Sequence, residues 1–124
     1  MKEITAVIRM NMMNMTKQAL ADIDVPCLTA RKVTGRGKGN VDYKLLNGAL
    51  EGREEAIAQL GGGPRLIPKR MLTIVVPDDR AQAVIQTIIE VNRTGHPGDG
   101  KIFVQCVLDA CRVRTGERGE EAIL

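Results

Sequence analysis

The order of the periodic segments constrains the fold of this chain more than any other feature of the sequence. Lys2–Arg9 alternates residues with period two, which predicts a half-buried strand. A segment with helical spacing follows and ends before Pro26, and Leu28–Thr34 then predicts a second strand. Met71–Val76 and Ile102–Leu108 predict two further strands, with a second helical segment between them. The chain is therefore predicted to contain two successive strand–helix–strand units.

This doubled order predicts a ferredoxin-like fold, an α+β architecture with element order βαββαβ and an antiparallel sheet. All 124 residues (1–124) fit a single domain of this kind. Asn14 is expected to cap the first helix, and the Asp78–Asp79 pair the second. The second helix has the clearest amphipathic pattern in the chain, carried by Ala81, Val84, Ile85, Ile88 and Ile89. Two helices would cover one face of the sheet and leave the other bare.

The composition excludes several classes of protein. A hydrophobic fraction of 44% argues against a disordered chain, and an aromatic fraction of 2% requires an aliphatic core. No apolar run approaches the roughly 20 residues of a membrane span, and the start has no signal-peptide pattern. One histidine and three cysteines without a C-x-x-C pair argue against a metal centre and a disulfide framework. We therefore expect a cytoplasmic protein with reduced thiols and without membrane insertion.

The segment Gly95–Ile102 combines glycines with a cation. It nearly matches the phosphate-loop pattern G-x-x-x-x-G-K-[ST], but Ile102 replaces the hydroxyl residue, and the predicted context runs from helix to strand. These departures exclude a true phosphate loop. Its glycine amides and Lys101 could still approach an anion, whereas a plain tight turn is the alternative. Asp99 is the one acid placed to meet a metal or a ribose, although a turn aspartate is usually structural.

Two further clusters combine small or cationic residues. Thr34–Gly39 alternates glycine with cations, but Asn40 breaks the dinucleotide fingerprint G-x-G-x-x-G. Arg112 and Arg114 lie two residues apart, so in an extended segment both would point to one side and could bind a polyphosphate. Together the three clusters favour a phosphate-bearing ligand. Since no nucleophile–base set can be assembled, we predict a binding protein and not an enzyme.

About thirty residues between Gly35 and Pro68 carry no strong strand signal. A connection of this length is unusual in a compact domain unless it has a purpose. Its alternatives are a disordered surface insertion and a recognition loop that orders on binding. A short helix over Glu54–Leu60 is compatible with either alternative.

The clusters resemble the PII signal-transduction family in type and in spacing. Met1–Arg9 resembles its first strand, Thr94–Phe103 its B-loop and Arg112–Gly119 its C-terminal loop, so that the resemblance covers nearly the whole chain. It implies a trimer that covers the bare sheet face and holds ATP or ADP between adjacent subunits. The nucleotide-binding positions that it implies are Thr29, Gly37, Lys38, Gly98, Asp99, Gly100, Lys101, Arg112 and Arg114.

The same resemblance assigns the long connection, at about residues 35–68, to the T-loop that touches target proteins. The T-loop positions expected to contact a partner are Tyr43, Asn47, Glu54 and Leu60. Tyr43 lacks the Y-R-G-A-E-Y context of the modified tyrosine in enteric members, so uridylylation is not expected.

Lys69 matches the family lysine associated with 2-oxoglutarate, which binds together with Mg²⁺ and ATP. Gly39 stands where the family has a glutamine of that site, a departure that bears on 2-oxoglutarate binding. No metal-ligating side chains are expected. The altered loop resembles the nitrogenase-associated NifI-type branch, whose members commonly act as two paralogous subunits. The resemblance thus implies a homotrimer or a hetero-oligomer with a PII paralogue, and nitrogenase as its target.

Two other functions share this order of elements. An RNA-binding module would stack bases on sheet aromatics, but the chain offers only Tyr43 and Phe103 and no such motif. A small phosphate-handling enzyme would use the arginines, but no nucleophile-positioning motif accompanies them. We therefore expect a nitrogen regulatory sensor that does not bind nucleic acid.

Overall fold

The computed structural model describes residues 1–37 and 65–124, which contain a four-stranded antiparallel sheet. The strands are β1 (Lys2–Arg9), β2 (Thr29–Gly35), β3 (Ile67–Val76) and β4 (Lys101–Cys106), in the spatial order β2-β3-β1-β4. The helices are α1 (Met13–Asp22) and α2 (Asp78–Asn92), and 3₁₀ turns span Met10–Met12 and Gly119–Ile123. This architecture confirms the predicted ferredoxin-like α+β fold.

The core lies between one face of the sheet and the two helices. In β1 the alternate residues Ile4, Ala6 and Ile8 are buried, and Ile4 and Ala6 pair with Ile74 and Leu72 of β3. Because side chains alternate across a strand, cross-strand partners share a face, and the period-two pattern fixes this register. The fully buried aliphatic side chains of sheet and helices are Ile4, Ala6, Ile8, Leu20, Leu72, Ile74, Val84 and Ile88.

Neither helix begins with the predicted side-chain cap. Met12 occupies the cap position of α1, and Asn14 lies exposed inside the helix. The preceding 3₁₀ turn explains the difference, since the amide of Met13 already donates to the carbonyl of Met10. At α2 the cap position is Pro77, and the Asp78–Asp79 pair lies in the first turn without capping it. Carboxylates at that position still interact favourably with the helix dipole.

The third strand begins four residues earlier than predicted. Ile67 pairs with Gly35 of β2, and Pro68 pairs with Thr34. The pairing of β3 with β1 ends at Lys69, so at Pro68 the strand has a neighbour on one side only. A proline, which lacks the amide donor, is tolerated at such a position. The segment that joins β2 to β3 therefore runs from residue 36 to residue 66.

The last strand ends two residues earlier than predicted. β4 ends at Cys106, although the amide of Val107 still donates to the carbonyl of Met1 at 3.0 Å. Leu108 is 98% exposed and does not extend the sheet. Its apolar character predicted a strand, but the partner strand β1 begins at Lys2 and offers no further pairing.

The opposite face of the sheet lies away from the helices. Thr5 and Val7 of β1 point to this side, and Thr5 has Thr73 and Phe103 as its cross-strand neighbours. Phe103 is 56% exposed, an unusual state for the only phenylalanine of the chain. We call this surface the open face.

Several predictions fall on residues 38–64, which lie outside the described part of the chain. They concern the short helix over Glu54–Leu60 and the positions Lys38, Gly39, Tyr43, Asn47, Glu54 and Leu60. Within residues 1–37 and 65–124, no helix has the length and apolar character that crossing a membrane requires.

Candidate functional site

The B-loop, residues 94–100, is organised around the carboxylate of Asp99. One oxygen accepts the backbone amides of Thr94 at 2.8 Å and Gly95 at 2.9 Å. The other accepts the Thr94 hydroxyl and the Nη1 donor of Arg9, the latter at 2.8 Å. The four donors belong to the chain itself, so Asp99 holds the loop in shape. The structure thus gives the predicted ribose- or metal-facing acid a positioning role.

The same contacts stabilise the ionised form of Asp99. Partial burial by itself would raise the pKa of this carboxyl group. Hydrogen bonds from the Thr94 side chain, from Arg9 and from the amides of Thr94 and Gly95 outweigh that effect and lower the pKa to about 2. Asp99 is therefore a fixed negative charge at any pH near neutrality.

Gly100 brings the B-loop against the first strand. Its φ is +107°, and a Cβ atom built on it would lie 1.9 Å from the carbonyl oxygen of Val7. Only glycine fits here, because the neighbouring atom belongs to the backbone of β1. Gly95 and Gly98 also have positive φ, at +84° and +99°. Lys101 follows at the start of β4, where its side chain is exposed.

Two cations tie the B-loop to the ends of the central strands. Arg9 and Lys69 are cross-strand partners at the last paired position of β1 and β3. Besides its contact with Asp99, Arg9 donates from Nη2 to the carbonyl of Pro97 at 3.0 Å. Lys69 is buried, and its Nζ donates to the carbonyl of Gly98 at 3.0 Å. Lys69, which the resemblance assigns to the effector site, thus anchors the B-loop to β3, the strand that follows the long connection.

The C-terminal loop, residues 112–119, is a closed turn. The amide of Arg112 donates to the carbonyl of Glu117 at 2.8 Å, and the amide of Gly116 donates to the carbonyl of Arg112 at 2.7 Å. The prediction of an extended segment with parallel arginines is therefore wrong. Within this turn the two side chains differ in exposure: Arg112 is half-buried, and Arg114 is exposed.

A second ion pair fixes the outer part of this loop. Arg118 donates from Nε and Nη2 to one oxygen of Asp109, the Nε contact being 2.9 Å long. The other Asp109 oxygen accepts the amides of Ala110 and Gly119. The hydrogen bond from Arg118 is the main reason why the pKa of Asp109 is lowered.

The guanidinium of Arg112 is held by three acceptors. Its Nη1 donates to Oε1 of Glu117 at 2.6 Å, and its Nη2 donates to the carbonyl oxygens of Glu121 and Leu124, each at 2.8 Å. Sequence reasoning identified Arg112 but missed these partners, as it missed Arg9. The contact between Arg112 and Glu117 had one local signal, the spacing of two opposite charges by five residues. The contact between Arg9 and Asp99 has no local signal, because the two residues lie 90 positions apart.

The remaining predicted positions lie apart along the sheet. Thr29 is exposed at the start of β2, and Gly37 is exposed just beyond its end. Lys101 begins β4, whereas the C-terminal loop comes after its other end, and six residues of strand span about 17 Å. The structure places Gly98, Asp99 and Gly100 in the B-loop and Lys101 directly after it, at the start of β4. Among residues 1–37 and 65–124, no cluster of three or more His, Cys, Asp or Glu side chains could hold a metal ion.

Comparisons with known proteins agree with this geometry. A family model described as "Nitrogen regulatory protein P-II" matches residues 1–117. "Nitrogen fixation nifHD region GlnB-like protein 2" of Methanobacterium ivanovii is 48% identical over 129 aligned positions that cover both chains completely. The "Nitrogen regulatory protein P-II" of Haemophilus influenzae is 37% identical, over 99% of this chain and 100% of its own length.

A solved structure gives the same result for the fold. Arabidopsis thaliana PII bound to citrate superposes with a TM-score of 0.73 at 34% sequence identity, over 98% of this chain and 88% of the plant chain. The family model, relatives of nearly equal length and the shared fold all lead to one conclusion. This chain belongs to the nitrogen regulatory PII family.

Proposed function

We propose that this PII-family protein binds ATP or ADP between adjacent subunits of a trimer and thereby regulates a nitrogen-metabolism target through its T-loop. The observation that carries the proposal is the geometry of the B-loop. Its glycines adopt positive φ, its carboxylate is satisfied internally, and Lys101 stands exposed beside it. Such a loop offers backbone amides and a cation to phosphate oxygens without first having to fold.

The positions of the cations support a site made from two copies of the chain. Lys101 lies at the first residue of β4, and the C-terminal loop comes after the last. The strand between them is about 17 Å long. A head-to-tail arrangement of subunits would place the Arg114 of one copy near the Lys101 of the next. The open face, with its exposed Phe103, supplies the surface that such an assembly would bury.

The contacts of the B-loop also suggest how a bound nucleotide would influence the T-loop. Lys69 joins Gly98 to β3, the strand that begins directly after the T-loop at Ile67. A ligand that prefers one position of the B-loop would therefore bias the strand at the T-loop base. A coupling free energy of about 1–3 kcal/mol between nucleotide binding and target binding is enough to change the affinity for the target several-fold or more.

The target and effector are proposed from the relatives. Several of them are named for the nifHD region of nitrogen fixation, which makes nitrogenase the proposed target. The functional unit is proposed to be a homotrimer or a hetero-oligomer with a PII paralogue. 2-Oxoglutarate with Mg²⁺ is the proposed effector, with Lys69 and Gly39 as the positions to test.

Calorimetric titration with ATP and ADP tests the nucleotide site. Charge-assisted contacts contribute about 1.5–3 kcal/mol each, so Lys101→Ala and Arg114→Ala should each weaken binding by about 10- to 150-fold. Lys17→Ala, which removes an exposed lysine of α1, is the matched control and should leave affinity unchanged. Wild-type protein that binds neither nucleotide, alone or with a paralogue, would refute the proposal.

Removal of residues 47–63 tests the T-loop separately. Nucleotide affinity should remain within about twofold of the wild type, because the deletion leaves in place the hydrogen bonds by which Arg9, Lys69 and Thr94 hold the B-loop. Binding to purified nitrogenase components, measured with and without 2-oxoglutarate, should be lost. Persistent regulation by the shortened chain would place the recognition surface elsewhere.

A further inference from the structure

We propose that the C-terminal tail, residues 120–124, together with Glu117, occupies Arg112 as an internal competitor for nucleotide phosphate. This inference rests on the proposed nucleotide site and adds a self-inhibitory contact to it. In this view, the guanidinium exchanges the acceptors of its own chain for those of the ligand.

The geometry of the contact resembles an occupied anion site. A carboxylate oxygen lies 2.6 Å from Nη1 of Arg112, and the carbonyl oxygens of Glu121 and Leu124 lie 2.8 Å from Nη2. A guanidinium binds phosphate through the same outward-facing N–H donors. Phosphate oxygens can therefore accept from Nη2 in place of these carbonyl oxygens only after the tail has moved.

Arg114 provides the contrast within the same loop. It is exposed, and its guanidinium makes no ion pair or hydrogen bond with any part of the chain that the structure describes. Phosphate can contact Arg114 without any rearrangement. Arg112 and Arg114, which the sequence treats as equivalent, therefore differ in how readily they can bind a phosphate group.

The tail can leave without dismantling the loop. The loop is closed by the amides of Arg112, Gly116 and Gly119 and by the ion pair of Arg118 with Asp109, none of which uses residues 120–124. The tail itself is a short 3₁₀ turn that contacts β3, and Leu124 is 82% exposed. Short 3₁₀ turns have weak hydrogen-bond geometry, so the tail is suited to reversible release.

The decisive experiment measures ATP affinity by calorimetry for the full chain and for a chain ended after Gly119. If the tail competes, its removal raises the competent fraction and tightens ATP binding, with an expected gain of about 3- to 30-fold. Glu117→Gln weakens the remaining acceptor and should give a smaller gain. Thermal unfolding of each variant verifies that it is folded.

The Arg112→Ala background supplies the control. There the tail has no guanidinium to occupy, so ending the chain after Gly119 should leave ATP affinity unchanged. Unchanged or weaker binding after truncation of the wild-type chain would overturn the proposal, and so would a gain that persists without Arg112. Failure of all forms to bind ATP would refute the nucleotide site itself.

A second readout does not depend on the truncated chain. Addition of ATP should release the tail and accelerate its digestion by carboxypeptidase in the wild-type protein. Lys101→Ala, tested at the same ATP concentration, should show a smaller acceleration because less nucleotide binds. ATP that protects the tail from digestion would contradict the proposed competition.

Discussion

Gly100 shows how one missing side-chain atom lets the B-loop contact β1. Gly100→Ala would place a Cβ 1.9 Å from the Val7 carbonyl oxygen at a φ of +107°. We expect the free energy of unfolding to fall by about 2 kcal/mol or more, since both strain and a backbone clash oppose the native loop. Gly95→Ala has positive φ but no atom within 4 Å, so its cost should be about 1 kcal/mol. Equal losses in urea unfolding would contradict the close approach.

Asp99 makes the stability of the protein depend on pH in the acid range. Its pKa is about 2 in the folded chain and near 4 in an unfolded one, so the ionised carboxylate contributes stability above pH 4. That contribution is lost as the pH falls from 4 to 2. Asp99→Asn should cost about 1–2 kcal/mol at pH 7, allowing for solvent screening.

Urea unfolding at several pH values checks this expectation. The difference between wild type and Asp99→Asn should shrink steadily between pH 4 and pH 2. Asp79→Asn, at an exposed position of α2, should cost less at pH 7. A difference that is independent of pH would show that the carboxylate is not the stabilising group.

At the scale of elements, α1 begins after a 3₁₀ turn and without a side-chain cap. Because the 3₁₀ turn supplies a carbonyl to the amide of Met13, Asn14 is an ordinary exposed helix residue. Asn14→Ala should therefore raise the free energy of unfolding by a few tenths of a kcal/mol, following helix propensity. A cap residue would instead lose about 1 kcal/mol. Thermal unfolding of the two proteins distinguishes these signs.

At the scale of the whole molecule, the open face is the surface that we propose is buried between subunits of a trimer. Phe103→Glu places a carboxylate on this face, where burial against another subunit would cost several kcal/mol. We expect the wild type to sediment at three times its 13.5 kDa mass and the variant to sediment as smaller species. Met15→Glu, at an equally exposed position of α1, is the control and should keep the wild-type mass. A trimeric Phe103→Glu protein would exclude the open face as the contact.

Local patterns in the sequence were sufficient to predict which segments form strands and helices, but not their caps or exact ends, because strand and helix periodicity arises from neighbouring residues. They also carried the resemblance that the comparisons confirm. The tertiary structure alone decided which partners those residues meet. Arg9 reaches Asp99 across 90 positions, and Lys69 reaches Gly98 across 29. Such contacts depend on which strands become neighbours in the sheet and on which loops meet at their ends, and no local spacing encodes that order.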